Sequence, residues 1–178
     1  MQEASHGGVD DAVDRIIALW RAARPDLDPS PLGVAERIHR LNRLLERETA
    51  RFHAEFGLDH AEFDALAALR REGGADGLTA GDLLRASTVT SGAITNRLDK
   101  LERKGLVARA PDPADRRAVR VTLTAPGRAL VDDMLEGYFA VQRRVLESLA
   151  DPRGVERGLR TLLVAFGETA ALADAYRD

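Results

Sequence analysis

Eight basic residues crowd the segment from Ile94 to Arg120 of this 178-residue chain: Arg97, Lys100, Arg103, Lys104, Arg109, Arg116, Arg117 and Arg120. Four carboxylates oppose them (Asp99, Glu102, Asp112 and Asp115), so the segment is locally +4 although the whole chain carries −3. Such a stretch suits polyanion binding through phosphate contacts rather than bond cleavage. The run TVTSGAITNRLDKLERKG places Thr90, Ser91, Thr95 and Asn96 ahead of Lys100, Arg103 and Lys104. Small and hydrogen-bonding side chains can fit closely into a major groove and meet base edges, while the cations behind them could reach phosphates. Further on, Asp115, Arg116 and Arg117 fall at the tip of an expected hairpin. An arginine there can enter a narrow, electronegative minor groove, and Asp115 can orient a guanidinium by a bidentate pair. Taken singly, the helix face reads as well as a solvated surface, and the tip as a turn salt bridge. Their order and spacing together favour double-stranded DNA as a partner.

The elements that must position these residues follow from periodicity and punctuation. Apolar residues Ile94, Leu98 and Leu101 make one side of a helix from about Thr88 to Lys104, ended by Gly105. Thr79, three residues before Asp82, opens a short helix ahead of it as a weak capping box. Leu106 to Arg109 and Val119 to Leu123 read as two strands, joined by a loop holding Pro111 and Pro113. That order is a helix-turn-helix followed by a wing. Upstream, helices are expected over Val9 to Ala23, Leu32 to Phe56 and Asp59 to Arg71, the first two separated by Pro25, Pro29 and Pro31. Val13, Ile16, Ile17, Leu19 and Trp20 form the stripe of the first, and Ile38, Leu41, Leu45, Phe52 and Phe56 that of the second. Downstream, a long helix starts at Thr124 and runs to about Leu149, and a last one spans Pro152 to Ala175.

The fold class expected is mainly α with a small β-wing, a winged helix-turn-helix flanked by long terminal helices. Residues 1–57 would hold an extra helix and a dimerisation helix, 58–125 the DNA-binding module, and 126–178 further dimerisation helices. Stripes this wide must be buried against something. A homodimer built from the two ends is the economical solution, and packing of the ends within a monomer is the alternative.

Composition removes several function classes. With no cysteine, disulfides, thiolate metal sites and thiol-based peroxide sensing are excluded. No Gly-rich phosphate loop, HExxH pair or nucleophile elbow is present, so no catalytic residues, enzyme activity or cofactor are expected. His6, His39, His53 and His60 are scattered; His53 and His60 could meet across a helix corner, but no metal site is expected from one pair. No apolar run approaches the roughly 20 residues of a membrane span, and the first residues lack the order of a signal peptide, so a cytoplasmic location is expected.

The stretch DRRAVRVTLTAPG, with Asp115, Arg117, Val121, Leu123, Thr124 and Gly127, resembles the wing of MarR-family regulators, and TSGAITNRLDKLERKGLV is similar to that family's recognition helix. The resemblance covers nearly the whole chain. It implies a homodimeric transcriptional repressor that binds pseudo-palindromic operators and is released by a small ligand. The segment WRAARPDLDPSPLGVAERIHRL and the extra N-terminal helix are similar to the urate-responsive, PecS-like branch. In that branch a tryptophan, an aspartate, a recognition-helix arginine and an arginine entering the wing concern the effector. Trp20, Asp64, Arg97 and Arg109 stand at the matching positions. An asparagine of some members has no clear counterpart; Glu72 or Asp76 lies nearby.

Physical chemistry bears on those four residues separately. At about 100° per residue, Arg97 lies only about 60° from Ile94, along the buried flank of its helix. A buried guanidinium needs an acidic partner or an anion. Asp64, inside Phe63-Asp64-Ala65-Leu66, needs a partner too. An Asp64–Arg97 pair with Arg109 nearby would leave positive charge for a flat anion such as urate, with Trp20 as its stacking face. A structural salt bridge and a core tryptophan are the plain alternative. Two other readings stay open: a MarR-type regulator answering a different phenolic or carboxylate ligand, and a winged-helix module for protein contacts.

Overall fold

The computed structural model describes residues 10–86, 91–113, 118–147 and 149–167, without the side chains of residues 91–93. They fall into two compact units, one up to Glu48 and one from Thr49 onward.

In the first unit, α1 (Ala12–Ala23) starts at a reciprocal capping box in which Asp11 and Asp14 satisfy each other's end of the helix. Arg37 reaches back to both carboxylates, with its Nε 2.8 Å from Asp11 and a terminal nitrogen 2.7 Å from Asp14. Val13 and Ile17 are buried, as their stripe requires. Leu19 and Trp20, expected inside, are 60% and 51% exposed. The proline-rich turn then leads into α2 (Leu32–Glu55), where Ile38 and Leu41 are also exposed. Periodicity placed these residues on the apolar stripes of the two helices, and the described residues leave them uncovered.

The second unit begins with the last turns of α2, where Thr49 and His53 are buried. Gly57, at φ 67°, turns the chain out of the helix. Asp59 and Glu62 form a second reciprocal capping box at the start of α3 (His60–Glu72). Next come β1 (Leu78–Thr79), α4 (Ala80–Ala86), α5 (Ser91–Arg103), β2 (Val107–Pro111), β3 (Val119–Leu123), α6 (Ala125–Leu146) and α7 (Pro152–Ala165). The three strands are antiparallel in the order β1-β3-β2, with Val107 opposite Leu123 and Arg109 opposite Val121. Strand β1, only two residues long, was not expected; it pairs Leu78 with Val121. Leu66, Leu83, Leu101, Val121, Val131 and Met134 form the centre of the core, each less than 2% exposed. Helix α3, helix α5, the sheet and α6 therefore share one apolar interior. Helix α7 buries no residue: Val155, Leu159, Leu162, Leu163 and Phe166 are all exposed.

The expected start of the recognition helix at Thr88, and the last helix beyond residue 167, lie outside the described residues.

Candidate nucleic-acid interface

Helix α5 is fixed in the core by Ile94, Leu98 and Leu101, at 5%, 3% and 0% exposure. That anchoring turns Thr95, Asn96, Lys100 and Arg103 outward, and all four are exposed. Their groups match what base edges and phosphates require. Arg103 donates from Nε to the Asp99 carbonyl at 3.3 Å, which leaves its guanidinium on the helix surface. Lys100 stands 3.9 Å from Asp59. Of the other expected contacts, Thr90 and the wing-tip residues Asp115, Arg116 and Arg117 lie outside the described residues, as does the side chain of Ser91.

Lys104 is placed differently from its neighbours. Its Nζ donates to both Glu62 carboxylate oxygens at 2.8 Å and to the Gly57 carbonyl at 2.9 Å. Glu62 is 3% exposed, so this cation neutralises a buried carboxylate instead of reaching for a phosphate. Sequence reasoning grouped Lys104 with the phosphate-seeking cations because its partner comes from a helix more than forty positions away.

The wing is braced from inside. Arg120 on β3 bonds the buried Asp112 carboxylate at 2.6 Å and approaches the Gly77 carbonyl at 3.4 Å. Gly77 has φ 74°, and a Cβ there would meet the Val121 carbonyl oxygen at 2.2 Å, so only glycine lets the loop pass the sheet.

The expected effector residues divide between the two units. Trp20 is half-exposed in the first, beside a largely apolar recess of about 330 Å³ lined also by Arg24, Leu27, Asp28, Pro29, Pro31 and Leu32. Asp64, Arg97 and Arg109 belong to the second. Arg97 is 8% exposed, and its Nη1 is buried without a hydrogen-bond partner among the described residues. With Asp59, Asn96 and Lys100 it borders a small recess of about 170 Å³. Asp64 is half-buried on α3. Arg109 has two carboxylate neighbours that sequence reasoning missed: Asp99 at 2.6 Å and Glu102 at 3.6 Å. The i, i+3 spacing of those carboxylates on α5 and the strand carrying Arg109 were both visible, but the packing of that strand against α5 was not.

Among the described residues no cluster of three or more metal-ligating side chains occurs, and no helix is long and apolar enough to cross a membrane.

A helix-turn-helix, an outward polar face on its second helix and a braced two-strand wing are thus in place. A sequence model of the MarR family matches residues 56–118, which contain the helix-turn-helix and β2 and stop just before β3. The transcriptional regulator PecS of Dickeya dadantii is 33% identical over 151 residues, spanning 85% of this chain and 90% of PecS. The chain belongs to the MarR family. It is a transcriptional regulator of that family and not an enzyme. Two solved MarR-family structures carry the same fold. BpsR of Bordetella bronchiseptica, whose DNA binding is regulated by 6-hydroxynicotinic acid, is 25% identical with a TM-score of 0.66, over 76% of this chain and 94% of that one. A cysteine-to-serine mutant of Escherichia coli MarR, in complex with operator DNA, is 27% identical with a TM-score of 0.64, over 86% of this chain and 99% of that one. In this MarR-family protein α5 is accordingly the second helix of the helix-turn-helix, and β2–β3 the wing.

Proposed function

We propose that this MarR-family regulator acts as a homodimeric repressor that binds a pseudo-palindromic operator and is released by a small anionic aromatic effector, urate foremost. Thr90, Ser91, Thr95 and Asn96 read bases, Lys100 and Arg103 hold phosphates, and Arg116 and Arg117 enter the minor groove with Asp115 orienting them. Trp20, Asp64, Arg97 and Arg109 bind the effector. The observation that carries the effector reading is Arg97: a guanidinium 8% exposed, with a buried nitrogen lacking a hydrogen-bond partner among the described residues, on the helix proposed to face DNA. A buried cation of this kind favours an incoming anion. An anion bound there biases the position of α5 and so lowers DNA affinity, provided it binds the released state more tightly. The exposed stripe of α7 favours the homodimer, because an uncovered face of several large apolar side chains marks an association surface.

A second effector class has its own support. BpsR is regulated by 6-hydroxynicotinic acid, a flat aromatic carboxylate, and the same cation would accept it.

The test is fluorescence anisotropy of the full chain on a duplex from upstream of its own gene, titrated with urate, with 6-hydroxynicotinate and with salt. Salt-sensitive binding released by urate is the expected result. Release by 6-hydroxynicotinate alone moves the effector to the second class. Binding indifferent to both ligands overturns the effector reading and leaves the regulator. Affinity for DNA that does not fall with salt favours a protein-contact module instead.

A further inference from the structure

Arg109 sits on β2, on the same side of the strand as the buried Val107, and faces α5. One terminal nitrogen lies 2.6 Å from Asp99 Oδ1 and 3.4 Å from the Thr95 carbonyl oxygen, and its Nε lies 3.6 Å from Glu102. The guanidinium side chain is only 25% exposed, while Asp99 and Glu102 are 47% and 44% exposed. Three groups of the recognition helix thus converge on one side chain of the wing. Two carboxylates on a helix that must approach phosphates are unfavourable for binding unless they serve another purpose.

We infer that Arg109, Asp99 and Glu102 form a latch that fixes the wing to the recognition helix, so that both meet their grooves already aligned. In the effector-free protein Arg109 is a positioning residue acting through Asp99 and Glu102. The inference rests on the DNA-binding role of α5 and the wing. Its physical basis is pre-organisation: a wing held in place before encounter spends less binding free energy on ordering. Both carboxylates are nearly half exposed, so these pairs contribute little to global stability and the latch acts on DNA affinity rather than on folding.

The sign of one substitution distinguishes the latch from incidental charges. Asp99→Asn with Glu102→Gln removes two negative charges from the DNA-facing helix. If those carboxylates merely sit there, DNA binds more tightly. If they position the wing, DNA binds more weakly despite the gain in charge. The experiment compares the full chain, that double variant, Arg109→Gln, and the triple combination on the upstream duplex. Each of the first two variants is expected to lose about 5- to 10-fold in affinity, and the triple variant no more than either, because contacting groups are non-additive. Thermal melting of each variant is expected to stay near that of the parent chain. In the free protein, amide exchange across residues 107–111 and 119–123 is expected to quicken in every variant. Tighter or unchanged DNA binding by the carboxylate variant overturns the latch, as do strictly multiplying losses, which would mean that Arg109 touches DNA itself. Unchanged amide exchange overturns it independently of any DNA measurement.

Discussion

Lys104 holds Glu62 by both carboxylate oxygens at 2.8 Å, and so joins the C-terminal end of the recognition helix to the first turn of α3. Glu62 also accepts the Asp59 backbone N–H at 2.9 Å, completing the capping box there. Removing the cation leaves a carboxylate that is 3% exposed, with that single bond among the described residues. Lys104→Met is expected to cost about 1–3 kcal/mol, below the value for a fully buried pair because the lysine side chain is itself 38% exposed. Adding Glu62→Gln to Lys104→Met is expected to recover part of the loss. Urea unfolding of both variants checks this, and equal stability of Lys104→Met and the parent chain contradicts it.

Gly127 in the first turn of α6 abuts the chain at Leu106, where an added Cβ would stand 1.9 Å from the carbonyl oxygen. Thr124, the N-cap, bonds the Gly127 N–H at 3.0 Å and donates to the Gly105 carbonyl at 2.7 Å. Gly127→Ala forces this helix start away from the wing base and is expected to destabilise the fold by about 1–3 kcal/mol. Thr124→Ala, which loses a cap, is expected to cost about 1 kcal/mol. Thermal denaturation ranks the two, and the reverse order would contradict the close approach.

His53 is fully buried, with its ring stacked 4.7 Å from Phe63 and 6.0 Å from Tyr138, and neither ring nitrogen has a hydrogen-bond partner among the described residues. Burial holds its pKa below the ordinary histidine value, with the charge of nearby His60 acting the same way and Asp59 opposing. The unfolded chain then takes up a proton that the folded chain refuses as pH falls below about 6.5. Stability is therefore expected to be unaffected by this group above about pH 7 and to decline from there toward the lowered folded-state pKa. His53→Phe is expected to flatten that portion of the curve. Chemical denaturation between about pH 7.5 and 5 provides the check, and an unchanged slope in the variant would assign the pH dependence elsewhere.

Arg103 and Asn96 are expected to fail differently on DNA. Arg103→Ala should weaken binding to all sequences alike and reduce the salt slope by about one. Asn96→Ala should weaken the operator more than unrelated DNA, because its amide serves bases. Competition binding across salt concentrations separates the two, and identical behaviour would remove the distinction between phosphate and base contacts on this helix.

Leu159 and Leu162 belong to an α7 stripe left uncovered by the described residues, at 41% and 38% exposure. Leu162→Asp is expected to convert the proposed dimer to a monomer in sedimentation velocity, with a loss of operator affinity. A parent chain that sediments as a monomer would instead rule out the dimer.

Local signals carried well from sequence to structure. Gly57 and Gly105 take positive φ where helices were expected to end, and the Val119–Leu123 strand kept its bounds. Thr79 and Asp82 bond reciprocally, with the Thr79 backbone N–H and the Asp82 backbone N–H each finding the other's side chain. What sequence could not supply was partnership across elements. Arg109 is as close to Asp99 as Arg24 is to Asp26, yet only the second pair is local in the chain. Periodicity likewise identified Trp20 and Ile38 as members of apolar faces without stating what covers them, because a stripe records an apolar preference and not its satisfaction. The two-residue β1 escaped notice since no alternation exists over so short a span.

That same small sheet has an implication for how the protein avoids unwanted self-association. One outer strand, β1, presents only Leu78 and Thr79, and the other, β2, closes on Pro111, which has no N–H to donate. The first border is too short to template a foreign strand, and Pro111 removes a donor from the end of the second. Such a sheet is a poorer seed for fibres than one with long, regular borders would be.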